Sequence, residues 1–412
     1  MSAHDPGGLA GRFRACFDGL AAIGRDPGGG WSRLAWTDAD RRARDWFRSQ
    51  AAARALAVEQ DPAGNLWAWR GTRGPGAVAT GSHLDTVAGG GAFDGALGVV
   101  AGLLALEELD RRGADPARPL AVVAFADEEG GRFGLPTFGS RVLAGTLDLP
   151  GALRRRDAAG VRLADALTAA GLDPARMGPD PARLAELAGF VELHVEQGRG
   201  LAGGGGAVGV GTGIWPHGRW RLDATGEADH AGTTRMGDRR DPAWTLAAAI
   251  ERARAQALAT GGAATVGRVV VEPNNANSIP ARVSAWLDAR APDDGALDRL
   301  VDGWWAQVRA AAADHGVRAE LRAESRSPAV TFDAGLRRRL GGCLRRLGVA
   351  PVELATAAGH DAGVLAAAVP TAMLFVRNPT GVSHSPAEHA GLDDCLAGVR
   401  ALAEALEELA CR

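Results

Sequence analysis

Apolar and polar positions along this chain change rhythm twice. Over 65–70, 77–81, 120–126 and 189–195, short apolar runs read as strands, most of them buried. Between them, 41–56 and 96–109 place apolar residues at helical spacing, so strand and helix alternate. That alternation predicts an α/β layer fold around a mixed or parallel sheet. From about residue 215 the order becomes strand (219–224), helix (241–257), strand (264–271), strand (282–289), helix (295–314) and strand (317–323). This βαββαβ order is the ferredoxin-like split unit, which is compact and can stand alone. After Ser-Arg-Ser-Pro at 325–328 the first rhythm returns, with strands near 352–354 and 372–376. The expectation is one α/β domain, 1–214 and 327–412, interrupted by a smaller α+β domain at 215–326. The glycine run 203–206 reads as a flexible turn.

A length of 412 residues exceeds what one core supports, in line with two domains. The composition is globular, 46% hydrophobic and 23% charged. A formal net charge of -3 gives no electrostatic footing for nucleic acid or an anionic membrane. The opening Met-Ser-Ala-His-Asp-Pro-Gly-Gly lacks a basic stretch followed by an apolar one, so no signal peptide is expected. No apolar run reaches membrane-spanning length. Cys16, Cys343, Cys395 and Cys411 are scattered, which fits a reduced, cytoplasmic enzyme.

The chemistry-bearing residues stand at strand ends. Gly-Ser-His-Leu-Asp-Thr-Val at 81–87 and Gly-Gly-Gly-Ala-Phe-Asp-Gly at 89–95 offer His83, Asp85 and Asp94. Phe-Ala-Asp-Glu-Glu-Gly at 125–130 puts Glu128 and Glu129 after the most apolar strand. Glu-Leu-His-Val-Glu-Gln-Gly at 192–198 holds His194, with Glu196 and Gln197 beyond it. Gly-Val-Ser-His-Ser-Pro at 381–386 sets His384 in a loop after the last strand. Singly, each reads as an ordinary polar loop residue. Together they form a donor set for borderline or hard divalent cations. One shared carboxylate and two terminal ligands per ion would hold two cations roughly 3.5–4 Å apart. Such a centre also needs an unligated carboxylate as general base, and the Glu128–Glu129 pair can supply ligand and base together.

In these motifs the chain resembles the hydantoinase/carbamoylase branch of the M20 metallopeptidase-like amidohydrolases. That branch includes N-carbamoyl-L-amino acid hydrolases, β-ureidopropionases and allantoate amidohydrolases. The likeness spans nearly the whole chain, starting at Gly-Gly-Gly-Trp-Ser-Arg (28–33) and Asp-Pro-Ala-Gly-Asn-Leu (61–66). It continues through His-Ala-Gly-Thr-Thr (230–234), Asn-Ser-Ile-Pro (277–280) and the strand-end motifs, all in family order.

The resemblance implies His83, Asp94 and His194 on one ion, and Asp94, Glu129 and His384 on the other, with Asp94 bridging. The ions implied are Zn2+ first, with Mn2+, Co2+ or Ni2+ as alternatives. Asp85 becomes the partner that orients His83, and Glu128 the base that takes a proton from the attacking water. His230 is implied as a stabiliser of the developing oxyanion, commonly in the partner subunit's site, with the inserted domain serving as lid and dimer contact. Asn277 and Arg290 match positions that bind the substrate carboxylate, and Gln197 and Arg239 match substrate positions less specifically. His360, in Gly-His-Asp-Ala, reads equally as a substrate contact or as a buried hydrogen-bonding residue behind the metals. Arg235 departs from the proline usual there, which puts the local loop shape and substrate preference in question. His389 reads as a solvated helix start, and Trp304 and Trp305 as core or dimer packing.

The activity implied is hydrolysis of a terminal ureido group on a carboxylate-bearing substrate, releasing ammonia and carbon dioxide. Allantoate and N-carbamoyl-L-amino acids are the two candidates, with general resemblance favouring allantoate. A dipeptidase or aminoacylase is disfavoured by His194, where typical M20 peptidases carry an acid. A silent binding protein is disfavoured because no ligand, nor Glu128, is missing.

Overall fold

The computed structural model describes residues 7–203 and 206–411. His4 and the two central residues of the glycine run, Gly204 and Gly205, lie outside these residues. The backbone divides into two compact units: Met1–Gly213 with Thr331–Arg412, and Ile214–Val330.

The larger unit is built on a nine-stranded mixed sheet. Its strands lie in the order Ala57–Gln60, Leu66–Arg70, Leu120–Phe125, Ala77–His83, Leu187–Val195, Thr371–Val376, Val208–Ile214 and Val330–Thr331, with Val352–Thr356 also paired to Val208–Ile214. The four central strands, from Leu120–Phe125 to Thr371–Val376, are mutually parallel, while Leu66–Arg70 pairs antiparallel with Ala57–Gln60 and Leu120–Phe125, and Val208–Ile214 antiparallel with Thr371–Val376. Leu120–Phe125, Ala77–His83 and Thr371–Val376 are buried at every position, as expected of parallel strands covered on both faces. The helix Ala96–Arg111 is buried on nearly all sides and packs against the helix Leu392–Ala410. His83, the 127–129 turn, His194 and the 378–384 loop all lie at the carboxyl ends of the parallel strands. In open α/β sheets that is where ligand crevices form.

Pattern reading missed Ala57–Gln60, Val208–Ile214 and Val330–Thr331. The second of these, Val-Gly-Val-Gly-Thr-Gly-Ile, carries glycine at alternate positions, which depresses strand propensity. The glycines are there for contact: a Cβ on Gly211 would lie 3.0 Å from Met373 Cβ and 3.1 Å from the Phe375 ring.

The smaller unit runs His217–Thr225, Pro242–Thr260, Ala263–Glu272, Arg282–Arg290, Asp294–Asp314 and Arg318–Ser327. Its four strands lie fourth, first, third, second, with every neighbour antiparallel. That is the ferredoxin-like arrangement. Asp241 and Asp293 cap the two helices by accepting from the Ala243 and Ala296 N–H groups. Trp220, Leu222, Leu287, Leu300 and Trp304 fill the layer between sheet and helices, and Trp304 donates its indole N–H to the Ala249 carbonyl at 2.8 Å. Ala263–Glu272 is an edge strand of this sheet. No described helix is long and apolar enough to cross a membrane.

Candidate metal centre

Asp94 is the meeting point of the larger unit's strand ends. Its Oδ1 lies 3.4 Å from His83 Nε2 and 3.2 Å from His194 Nε2, while its Oδ2 lies 3.4 Å from His384 Nε2. His384 Nε2 is in turn 3.3 Å from Glu129 Oε2. The five side chains thus form two groups with ligand-like spacing, His83–Asp94–His194 and Asp94–Glu129–His384, with one Asp94 oxygen facing each. Gly95, with φ of 64°, follows Asp94 and packs directly under the His83 ring, where a Cβ would collide with the imidazole. His384 also adopts a positive φ, 53°, in its loop.

The tautomers follow from the backbone. His83 Nδ1 is 3.0 Å from the Asp85 carbonyl, and His194 Nδ1 is 2.9 Å from the Val195 carbonyl. A carbonyl only accepts, so each Nδ1 carries a proton and each Nε2 faces Asp94. Asp85 therefore orients His83 through its main chain rather than its carboxylate, which is 3.7 Å away. The carboxylate is committed elsewhere: Oδ1 accepts the Glu128 N–H at 3.1 Å and Oδ2 the Glu129 N–H at 3.0 Å. It thereby fixes the turn that presents both glutamates.

Burial and neighbouring charges shift these groups strongly. Burial raises the Glu128 carboxyl well above its ordinary range, partly offset by His83 and reinforced by Asp361 and Glu129. Burial and the Asp94 charge raise Glu129 to about 7. The hydrogen bond to Asp94 lifts His384 to about 9. Burial disfavours the charged form of Asp94, yet the imidazoles of His194, His384 and His83 outweigh it and hold this carboxyl well below its usual range.

This donor set fits divalent cations. Glu129 Oε1 is a buried atom with no hydrogen-bond partner, and His83 Nε2 can hold either a second proton or a cation, while His194 Nε2 also receives the Gly95 N–H at 3.1 Å. Buried carboxylates crowd the site, with Asp85, Asp127, Glu128, Glu192 and Asp361 beside the candidate ligands, and positive charge would relieve their mutual repulsion. A third group of the described residues, Glu192–His194–His360, has similar spacing. There, however, Glu192 already accepts from Ser82 Oγ at 2.7 Å and from the Ala362 N–H at 2.9 Å. His360 is buried, its ring centroid 4.5 Å from that of His194.

Residues 58–408 match the profile of peptidase family M20/M25/M40. The chain belongs to this family. An N-carbamoyl-L-amino acid amidohydrolase of Geobacillus stearothermophilus is 39% identical over 395 residues, which is 95% of this chain and 96% of that protein. An allantoate amidohydrolase of Bacillus subtilis (strain 168) is 34% identical over 401 residues, 95% of each chain. Among solved structures, an amidase of the hydantoinase/carbamoylase family from Burkholderia vietnamiensis is similar, with a TM-score of 0.88 at 33% identity over 98% of both chains. This M20 chain is accordingly a hydrolase.

Other residues singled out in the sequence take definite places. Gln197 does not stand apart from the candidate ligands: its Nε2 donates to Asp94 Oδ2 at 2.8 Å and lies 3.3 Å from Ser383 Oγ. In the smaller unit, His230 is exposed and its Nδ1 accepts the Gly232 and Thr233 N–H groups at 3.0 and 3.2 Å. The proton of the neutral ring is therefore on Nε2, as a hydrogen-bond donor needs. Arg239 donates to the Ala231 and Thr234 carbonyls and so braces the His230 loop. Asn277 accepts the Ala231 N–H at 3.1 Å, and Ser278 pairs with His230. Arg290 ends its strand opposite His217, with Nε 3.0 Å from Asp288 Oδ1. Arg235 has φ of -62° and ψ of 148°, angles that proline itself adopts, so the backbone at this departure keeps a proline-compatible shape.

Two residues escaped the sequence reading. Glu388 is buried and accepts the Phe93 and Asp94 N–H groups at 2.8 and 2.9 Å. Its neighbour His389, which drew the attention, is exposed against the Phe93 ring. Arg33 is a fully buried guanidinium that donates to the Leu84 carbonyl at 2.7 Å, bracing the segment between His83 and Asp85. The only hint of its importance was its place in the motif at 28–33.

Proposed function

We propose that this chain is a binuclear metal-dependent amidohydrolase. Its reaction would cleave the terminal carbamoyl C–N bond of a carboxylate-bearing ureido substrate, either an N-carbamoyl-L-amino acid or allantoate. The observation that carries the reading is the Asp94 carboxylate, with one oxygen toward the His83–His194 pair and the other toward the Glu129–His384 pair. The name of the relative at 39% identity supports N-carbamoyl-L-amino acids, and that of the relative at 34% supports allantoate, so both stay in the reading.

His83, Asp94 and His194 would hold one cation, and Asp94, Glu129 and His384 the other. When bound, two divalent ions (Zn2+, or Mn2+, Co2+ or Ni2+) supply Lewis acidity toward the ureido carbonyl and lower the pKa of water. Glu128, held by Asp85 through its N–H and lying 3.7 Å from His83 Nε2, takes the proton of the attacking water. It then delivers that proton to the departing nitrogen. The products are ammonia and a carbamate, which loses carbon dioxide. His230, with its Nε2–H donor, stabilises the developing oxyanion from the partner subunit of a homodimer. Arg290 and Asn277 recognise the carboxylate, Asn277 entering beside His230 from the other subunit, and Gln197, Arg239 and His360 line or brace the substrate side.

The homodimer would form through the Ile214–Val330 unit. Its edge strand Ala263–Glu272 offers unpaired backbone groups, and Ile250, Leu258 and Val269 are exposed apolar residues of the same unit. The four cysteines are free thiols, in keeping with a reducing cytoplasm.

Ammonia release tests the reading, on a panel of N-carbamoyl-L-amino acids, allantoate, β-ureidopropionate and a dipeptide control. We expect turnover of a ureido acid that a strong chelator abolishes, and none of the dipeptide. Cleavage of the dipeptide alone, or full turnover in chelator, would refute it.

A further inference from the structure

The loop that carries Asp94 and the loop that carries His384 are tied together by a side chain that is not among the candidate ligands. Glu388 Oε1 accepts the N–H groups of Phe93 and Asp94 at 2.8 and 2.9 Å, and Oε2 lies 3.2 Å from Ser383 Oγ. Ser383 Oγ is also 3.1 Å from Asp94 Oδ2, the oxygen that faces His384. The approach is built from both sides, because Gly91 packs against the Glu388 side chain so closely that a Cβ there would collide with it.

Ser383 has one hydroxyl proton and two carboxylate oxygens competing for it. Asp94 Oδ2 already receives the Gln197 amide at 2.8 Å. Giving the hydroxyl proton to Glu388 leaves Asp94 Oδ2, once a cation takes the place of the His384 proton, with the Gln197 amide as its remaining donor and a lone pair for that cation.

We propose that Glu388 is a positioning residue that fixes the Asp94 loop and draws the Ser383 proton away from Asp94 Oδ2, so that the Glu129–His384 side can bind its ion. This rests on the two-ion reading above. Glu388→Gln keeps one oxygen for the two N–H groups but turns an NH2 toward Ser383. Of the two acceptors that faced it, the serine hydroxyl then keeps only Asp94 Oδ2, where its proton competes with the cation.

The test is Co2+ titration of the full-length, chelator-stripped protein, followed by visible absorption and by elemental analysis after dialysis. The wild type should take two ions. Glu388→Gln should weaken one of them roughly 10–100-fold and leave the other unchanged. Adding Ser383→Ala to Glu388→Gln should restore most of the loss, a rescue that a merely structural role does not produce. If Glu388→Gln fails to fold, Gly91→Ala displaces the same carboxylate and should give the same selective loss. A wild-type titration curve for the variant, equal loss of both ions, or no rescue by Ser383→Ala overturns the proposal. A wild type that takes fewer than two ions overturns the two-ion reading itself, before any variant is made.

Discussion

His230 and Arg290 lie toward opposite ends of the smaller unit's four-stranded sheet, Arg290 within it and His230 in a separate two-stranded ladder. The ladder of Asp229–His230 with Ser278–Ile279 follows the end where Thr225 pairs with Arg282, whereas Arg290 pairs with His217 at the other end. Eight residue steps, from Arg282 to Arg290, separate those ends, about 26 Å at 3.3 Å per residue. Asn277 goes with His230, not with Arg290. A small ureido acid that meets both ends would have to take them from two subunits. Mixing inactive His230→Ala with inactive Glu128→Gln should then restore roughly a quarter of wild-type activity after subunit exchange, since half the dimers carry one intact site. No recovery despite proven exchange, or a monomer at assay concentration, would exclude action in trans.

The adjacent acids should separate cleanly by variant. Glu128→Gln preserves shape and the N–H bond to Asp85 while removing the proton acceptor. We expect kcat to fall by about 10²–10⁴ with both ions retained. Glu129→Gln removes the carboxylate charge beside His384, so elemental analysis should show lost occupancy. Near-normal kcat in the first variant would assign the proton to another group.

Protons and cations compete for the same atoms, which sets opposite pH trends for stripped and loaded protein. Burial lifts Glu129 from its ordinary 4.5 to about 7, and the bond to Asp94 lifts His384 from 6.5 to about 9. Both bind more protons folded than unfolded across those windows. The stripped protein therefore loses stability as pH rises from about 5 to about 9. An ion must displace those protons, so its affinity and the stability it confers grow with pH. The Tm gap between loaded and stripped protein should widen from about pH 6 to about pH 8.5. A gap that stays flat or narrows would contradict these assignments.

The grouping of the candidate ligands was legible in the sequence because they sit in short motifs that follow strongly apolar strands. Strand polarity then brings His83, Glu129, His194 and His384 to one edge of the sheet. Glu388 was not legible: it meets Asp94 across 294 residues, and a buried glutamate in a loop has no periodic signature. Asp85 was legible as a residue but not as a contact, since sequence does not say whether carbonyl or carboxylate faces His83. The Val208–Ile214 strand was hidden by its glycines, of which Gly211 closely approaches Met373 and Phe375 and Gly209 approaches Leu354.

Arg290 should set the requirement for a free substrate carboxylate. Its Nε is anchored by Asp288 at 3.0 Å, which orients a guanidinium whose planar fork suits two carboxylate oxygens. An N-carbamoyl amino acid and its amide differ only at that group, so the ratio of their kcat/KM values isolates the contact. Losing a charge-assisted pair costs about 1.5–3 kcal/mol, so Arg290→Ala should collapse the ratio by roughly ten- to a hundredfold. Arg290→Lys keeps the charge without the fork and should recover only part of it. Allantoate and β-ureidopropionate in the same panel vary the spacing between carboxylate and ureido group, so their kcat/KM ranking reports where Arg290 holds the substrate. If wild type turns over the amide as well as the acid, Arg290 does not recognise the carboxylate.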